Sequence, residues 1–165
     1  MSLPYYLNVT VHVLAALFWL GGMFFLAVVG APALRGIDSP ALRQQLFQAL
    51  GLRFRAAGWV AIVVLLVTGV LNLHFRGWLQ ASVLGEPAFW RTGVGHALAW
   101  KLAAVAAMVV VSAVHDFALG PASGRAPPGS PAALRLRRRA SLTARVNALL
   151  GLIVVLAAVR LARGG

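Results

Sequence analysis

The chain contains no cysteine. That excludes disulfides, thiolate metal sites and thiol catalysis. Lysine is almost absent too, Lys101 being the only one. The formal net charge of +12 comes from arginine, yet no nucleic-acid-binding motif accompanies it. The charge reads instead as a topology signal with contact to anionic lipid. The N-terminal tail, MSLPYY, has no basic residue, and the first apolar run is too long for a signal-peptide core, so a retained span is expected. No internal repeat is visible.

What the chain has in excess is apolar sequence. Its 165 residues are 61% hydrophobic, and the mean hydropathy is +0.85. Four runs dominate, at 7–33, 56–75, 93–119 and 144–161. Each approaches or exceeds the roughly 20 residues that cross a bilayer core as a helix. The runs do not alternate, and backbone groups in hydrocarbon must be satisfied within the segment. The expected fold is an all-α integral membrane protein, an antiparallel four-helix transmembrane bundle forming a single domain over residues 1–165. Little length remains for a soluble catalytic domain.

Arginine sets the expected orientation. The first loop carries Arg35, Arg43, Arg53 and Arg55, and the third carries Arg125, Arg135, Arg137, Arg138 and Arg139. The positive-inside rule places both loops in the cytoplasm and both termini in the periplasm of a bacterial inner membrane. Residues 41–50 suggest a short interfacial helix capped by Asp38 or Ser39. The Pro/Gly/Ser-rich stretch 120–131 suggests a flexible connection. Trp78, Phe89 and Trp90 in the second loop suit an outer interfacial belt.

Polar residues inside the spans are the candidates for function, because an ionisable group in hydrocarbon costs at least ~2.5 kcal/mol. His12 lies ~8 Å inside the outer end of the first span, and Lys101 enters from the same side to a depth of ~8–12 Å. Asn8 and His12 share a helix face. With Asn72 they form an outer cluster. Lys101, Met108, Ser112 and His115, spaced by seven, four and three, form one stripe of the third span. His115, Asp116, Asn147 and Arg145 form an inner cluster, in which a His-Asp pair at a helix end can also pair with Arg145. Trp19, seven residues after His12, is a candidate wall for a cofactor pocket.

Two chemistries suit these residues. Haem b in a helical bundle needs an axial histidine, an apolar slot and cations for its propionates. His12 supplies the first, and Lys101 or Arg160 the last. His12 and His115 sit in opposite leaflets, so His74 or His96 is the easier second ligand. Copper is the other option. Cu(I) prefers soft ligands, here restricted to Met1, Met23 and Met108 beside His12 or His115.

The segments VHVLAALFWLGGMFFLAVVGAPALR, RFRAAGWVAIVVLLVTGVLN, WKLAAVAAMVVVSAVHDFALGP and ARVNALLGLIVVLAAVRLARG resemble the CopD-like (copper resistance protein D) family of four-span bacterial membrane proteins. That resemblance implies copper uptake or export across the inner membrane. The chain is also similar, more weakly, to HemJ-type protoporphyrinogen oxidases, whose first-span histidine and later-span lysine fall on His12 and Lys101. Their Asn-Glu-x-Pro element is reduced here to Asn147, which argues against that activity while keeping haem. The primary expectation is therefore a multi-pass inner-membrane protein binding haem b for electron transfer or redox chemistry. Copper transport through His12, Met108 and His115 is one alternative. The other is an accessory subunit of a larger complex. The expected surroundings are the lipid bilayer, a redox partner or larger complex, or a second copy of the chain, with no nucleic acid.

Overall fold

A computed structural model describes residues 2–127 and 129–164. Met1, considered above as a thioether, and Pro128 of the third loop lie outside the described residues. Among the described residues six helices follow one another: α1 (Leu3–Arg35), α2 (Pro40–Phe75), α3 (Ala81–Leu84), α4 (Pro87–Trp90), α5 (Gly93–Arg125) and α6 (Pro131–Ala162). The four long helices, α1, α2, α5 and α6, are each long and apolar enough to cross a membrane. No strand forms among the described residues. The fold is the expected all-α bundle of spans.

Each long helix extends beyond its apolar run at one end or both. Ser39 caps α2, its Oγ accepting from the Leu42 amide at 3.3 Å, with Pro40 in the first turn. Ser130 and Pro131 start α6 in the same way, Oγ accepting from the Ala133 amide at 3.1 Å. A hydroxyl that satisfies a free amide and a proline with a preset φ are an efficient start. The residues that follow, rich in Ala, Leu, Arg and Gln, are good helix formers. The expected interfacial helix at 41–50 is thus the first part of α2, and Ser39 rather than Asp38 caps it. The stretch 120–125, expected to be flexible, is the last turn of α5.

α2 closes on Gly77, whose φ of 69° only glycine adopts cheaply. The Gly77 amide donates to the His74 carbonyl and the Trp78 amide to the Leu73 carbonyl, both at 2.9 Å, which satisfies the end of the helix. The turn leads into α3 and α4. Here Trp78, Phe89 and Trp90 fold inward onto Ala97, Leu98 and Leu161, and Trp90 Nε1 donates to the Leu84 carbonyl at 2.8 Å. These half-buried rings cover the end of the α5/α6 pair. The cover sits close: Gly95 passes so near the Phe89 carbonyl and Trp90 Cα that a Cβ there would collide with backbone.

The bundle consists of two antiparallel hairpins, α1/α2 and α5/α6. They meet along α1 and α6, and again where the end of α5 closes on α2. Trp19, Ala61, Ile62 and Met108 are buried between them, with Leu20, Met23, Phe54 and Trp59 packed around. Outside, large apolar side chains face away from the protein, Leu156 and Val28 each 69% exposed. Such an exterior is stable in hydrocarbon, where exposed apolar surface costs nothing. α1 and α5 each widen into a single π-helical stretch, at Leu26–Gly30 and Val114–Leu119, both toward the arginine-rich end.

Candidate functional site

Polar side chains gather at three levels of the bundle. The first lies toward the termini, where α1 and α2 present mirrored pairs. Asn8 and His12 are four residues apart on one helix, Thr68 and Asn72 on the other, so antiparallel packing brings each into register with a partner. Asn8 Nδ2 donates to the Thr68 carbonyl at 3.0 Å and to Asn72 Oδ1 at 2.9 Å. His12 Nδ1 lies 2.7 Å from Thr68 Oγ1.

This geometry favours one histidine tautomer. A threonine hydroxyl has one proton, and Thr68 Oγ1 gives it to the Val64 carbonyl at 2.6 Å. A carbonyl only accepts, so toward His12 the hydroxyl must accept, and Nδ1 must carry the hydrogen. In the neutral ring Nε2 is then left with its lone pair, the state a metal ligand requires. Lys101 is half-buried at this level, within charge–charge range of both His12 and Arg76. It forms no hydrogen bond or ion pair with another described residue. Arg160 is exposed and makes no such bond among the described residues. Arg76, which the spacing did not suggest, supplies the second basic group here: it reaches the Leu161 carbonyl at 3.5 Å and lies over the Trp78 ring.

The second level is deeper. Asn147 of α6 is buried, and its Nδ2 donates to Ser112 Oγ of α5 at 2.9 Å and to Met23 Sδ of α1 at 3.5 Å. Its Oδ1 is buried without a partner. Such an orphaned acceptor costs about 1–3 kcal/mol. Met108, one turn before Ser112, is 4% exposed, and its methyl lies 4.0 Å from the place a Cβ would take on Gly151, one turn after Asn147.

The third level is the π-helical turn of α5. His115 Nδ1 lies 2.8 Å from Asp116 Oδ1, and Trp59 Nε1 of α2 donates to Asp116 Oδ2 at 3.0 Å. A carboxylate oxygen accepts, so His115 Nδ1 carries the hydrogen, and in the neutral ring Nε2 again keeps its lone pair. Arg55 donates to the Asp116 carbonyl at 3.2 Å and its guanidinium lies over Phe117, which in turn packs on Trp59. π turns commonly mark functional positions, because the extra residue re-aims the side chains around it.

The expected inner cluster is therefore two sites rather than one. His115 and Asp116 pair with Trp59 and Arg55 of α2, whereas Asn147 turns inward one helical turn away to meet Ser112 and Met23. Arg145 is exposed and pairs with neither. Of the expected outer cluster, His12, Asn8 and Asn72 are joined with Thr68 at their centre, whereas Lys101 forms no hydrogen bond to them among the described residues. Sequence reasoning missed Thr68, Trp59 and Arg55. The four-residue step from Thr68 to Asn72, matching that from Asn8 to His12, was the available signal.

Haem does not fit between these helices. Trp19, the proposed pocket wall, is 6% exposed and packed with Ala61, Ile62 and Met108. Space beside four of the glycines is taken: the Trp19 indole lies against Gly58, the Phe54 ring against Gly22, Leu20 against Gly151 and the His12 ring against Gly69. Two hollows are shallow grooves on the outer surface, one lined by Ala15, Phe18, Ala57, Val60 and Ala61, another by His96, Ala99, Trp100 and Ala103. Neither opens on His12 Nε2 with a cationic rim. His74 and His96 are both exposed, so neither supplies a second axial ligand inside the bundle. No three His, Cys, Asp or Glu side chains converge among the described residues either. What the bundle does hold is two imidazoles with uncommitted Nε2 atoms and two thioethers between their levels, a donor set suited to a soft cation.

Comparison with known proteins bears on which cation. The family model for copper resistance protein D matches residues 48–161, well over half of the chain. A curated protein of Aquifex aeolicus (strain VF5), described as an uncharacterized protein, is 40% identical over 74 residues, 44% of this chain and 50% of that protein. The chain thus spans about half the length of the curated relative it matches. No solved structure matches.

Proposed function

Because the chain belongs to the copper resistance protein D family, a family of multi-pass inner-membrane proteins, we propose that it passes copper through the four-helix bundle as Cu(I). His12 serves as the ligand at one end and His115 at the other. The arginine-rich end faces the cytoplasm in this proposal, because arginine is retained on that side of the inner membrane.

The observation that carries the proposal is the shared commitment of the two rings. Each gives its Nδ1 hydrogen to a protein acceptor, Thr68 or Asp116, at under 3 Å. Each keeps Nε2 for something else. An imidazole placed only to join helices needs no such arrangement twice, at opposite ends of one bundle. Asp116 is the one acidic residue within the four apolar runs and offsets the charge of a cation arriving beside His115. The apolar packing of Trp19 and Ile62 between the levels keeps water and protons from following the ion.

Cells expressing the protein at matched levels test the proposal. Copper content measured by mass spectrometry should differ from the empty-vector control in the wild type. It should return to the control value in His12→Ala and in His115→Ala. Copper content unchanged between wild type and both variants overturns the proposal.

A further inference from the structure

We infer that Lys101 and Arg76, with the side-chain amide of Asn72, form an anion site in a gap between the two hairpins, at the end of the bundle that carries the termini. The group it takes is an oxyanion, a phosphate or a carboxylate. The site is separate from the copper reading and stands or falls by itself.

Helix register places the gap. Trp19, Ala61 and Met108 pack together in the middle of the bundle. Seven residues from each, toward the termini, lie His12, Thr68 and Lys101, on the same helix faces. Lys101 therefore shares a level with His12 and Thr68 and points into the bundle. Its neighbours on that face of α5 agree: Ala97 is 3% exposed, Leu98 2%, Ala104 6% and Met108 4%. Lys101 sits at the centre of this face and is still only half-buried, so the packing opens beside it. α6 does not fill the opening. Its Gly151 meets Met108, and seven residues further on it presents Ala158. Trp19 and Met108 close the gap on the inner side, which limits the occupant to a group of a few atoms.

The groups around the gap are donors. Lys101 Nζ has no partner among the described residues. Asn72 takes the Asn8 amide on Oδ1 and keeps Nδ2 free. Neither nitrogen is sealed off, since the enclosed side-chain atoms without a partner are Arg43 Nε and Asn147 Oδ1. Arg76 stands at the mouth, over the Trp78 ring and against the Leu161 carbonyl, within charge–charge range of Lys101. Two cations so placed repel each other unless an opposite charge joins them. The described side chains supply none. Asp116 is held by His115 and Trp59 at the far end, Asp38 precedes α2 at that same end, and Glu86 is exposed and pairs with no described cation. An ammonium, a guanidinium and an amide N–H together suit a group with several accepting oxygens. Once bound, that group neutralises Lys101, whose charge otherwise opposes a cation at His12.

The oxyanion comes either from solution or from a phospholipid headgroup, and two measurements separate the sources. Protein purified in detergent and freed of lipid is titrated calorimetrically with sodium phosphate and with sodium acetate at constant ionic strength. Protein released from phosphatidylglycerol nanodiscs is weighed by native mass spectrometry. The wild type should bind phosphate or acetate, which assigns a soluble anion, or retain a phospholipid, which assigns a headgroup phosphate. Lys101→Met should lose that ligand, and Arg76→Gln should hold it about tenfold or more weakly. Arg160→Gln, which removes an exposed charge at the same end, should behave as wild type. A wild type that binds neither free anion nor lipid overturns the site. So does wild-type affinity in Lys101→Met, or in Arg76→Gln where Lys101→Met does not fold, and so does equal weakening in Arg160→Gln.

Discussion

A neutral imidazole in hydrocarbon has two nitrogens and one proton, and whatever stands beside Nδ1 decides where the proton sits. At His12 that neighbour is a threonine hydroxyl whose own hydrogen is already given to a carbonyl. Replacing Thr68 by Val keeps the shape and removes the acceptor. His12 then loses the bond that holds Nε2 as the free atom. By analogy with partners of metal-bound histidines, Thr68→Val should weaken Cu(I) binding at His12 by roughly tenfold. Thr68→Ser should restore it. Competition against a colorimetric Cu(I) chelator measures both, and equal affinities in all three proteins would show that the hydroxyl has no such role. His12 and the side of the bundle it occupies were legible in the sequence, because a histidine inside an apolar run stands out. Thr68 was not. A threonine in a span most often bonds its own preceding turn, and nothing in composition shows that it does this and accepts from a neighbour as well.

At the scale of helices, hydropathy located the parts that lie in lipid and little more. It could not find where α2 and α6 begin, because those first turns are polar and arginine-bearing, and a helix there depends on a Ser-Pro start rather than on apolar content. The π turn in α5 was equally hidden. It begins after Ser112, the residue Asn147 meets, and holds His115 and Asp116 at a separate level. The pairing of helices into two hairpins leads to a further expectation. Trp19 and Ile62 fill the centre, so an ion crosses only if the hairpins part. The chain lacks cysteine, so a pair introduced at Leu20→Cys and Gly151→Cys, where the leucine side chain touches the glycine, can be cross-linked without background. Cross-linking α1 to α6 there should reduce Cu(I) flux into proteoliposomes by about tenfold or more, and reductant should restore it. Flux indifferent to the cross-link would mean the hairpins do not move.

For the whole molecule, the membrane class was legible in full, since few soluble folds tolerate an exterior of exposed Leu and Val. Orientation is expected from arginine alone and is open to direct test. An alkaline phosphatase fused after Gly164 should be active, as it is only in the periplasm, and the same enzyme inserted after Arg125 should be inactive. The opposite pattern would invert the bundle. Glycines at 22, 69 and 151 suggest close helix packing in sequence, and in the folded chain each, like Gly58, meets a large side chain from another helix; which side chain fills each was not legible.

α2 has 36 residues, about 54 Å of helix at the usual rise, against a hydrocarbon core of about 30 Å. The surplus stands at the arginine-rich end as unbroken helix, braced where Arg137 of α6 donates to Gln44 Oε1 at 3.2 Å. A slack loop would let those arginines find the headgroups independently of the spans. Stiff rods do not. Attraction between the guanidinium groups and anionic lipid is therefore expected to act as ballast on the entire protein rather than on a loop alone.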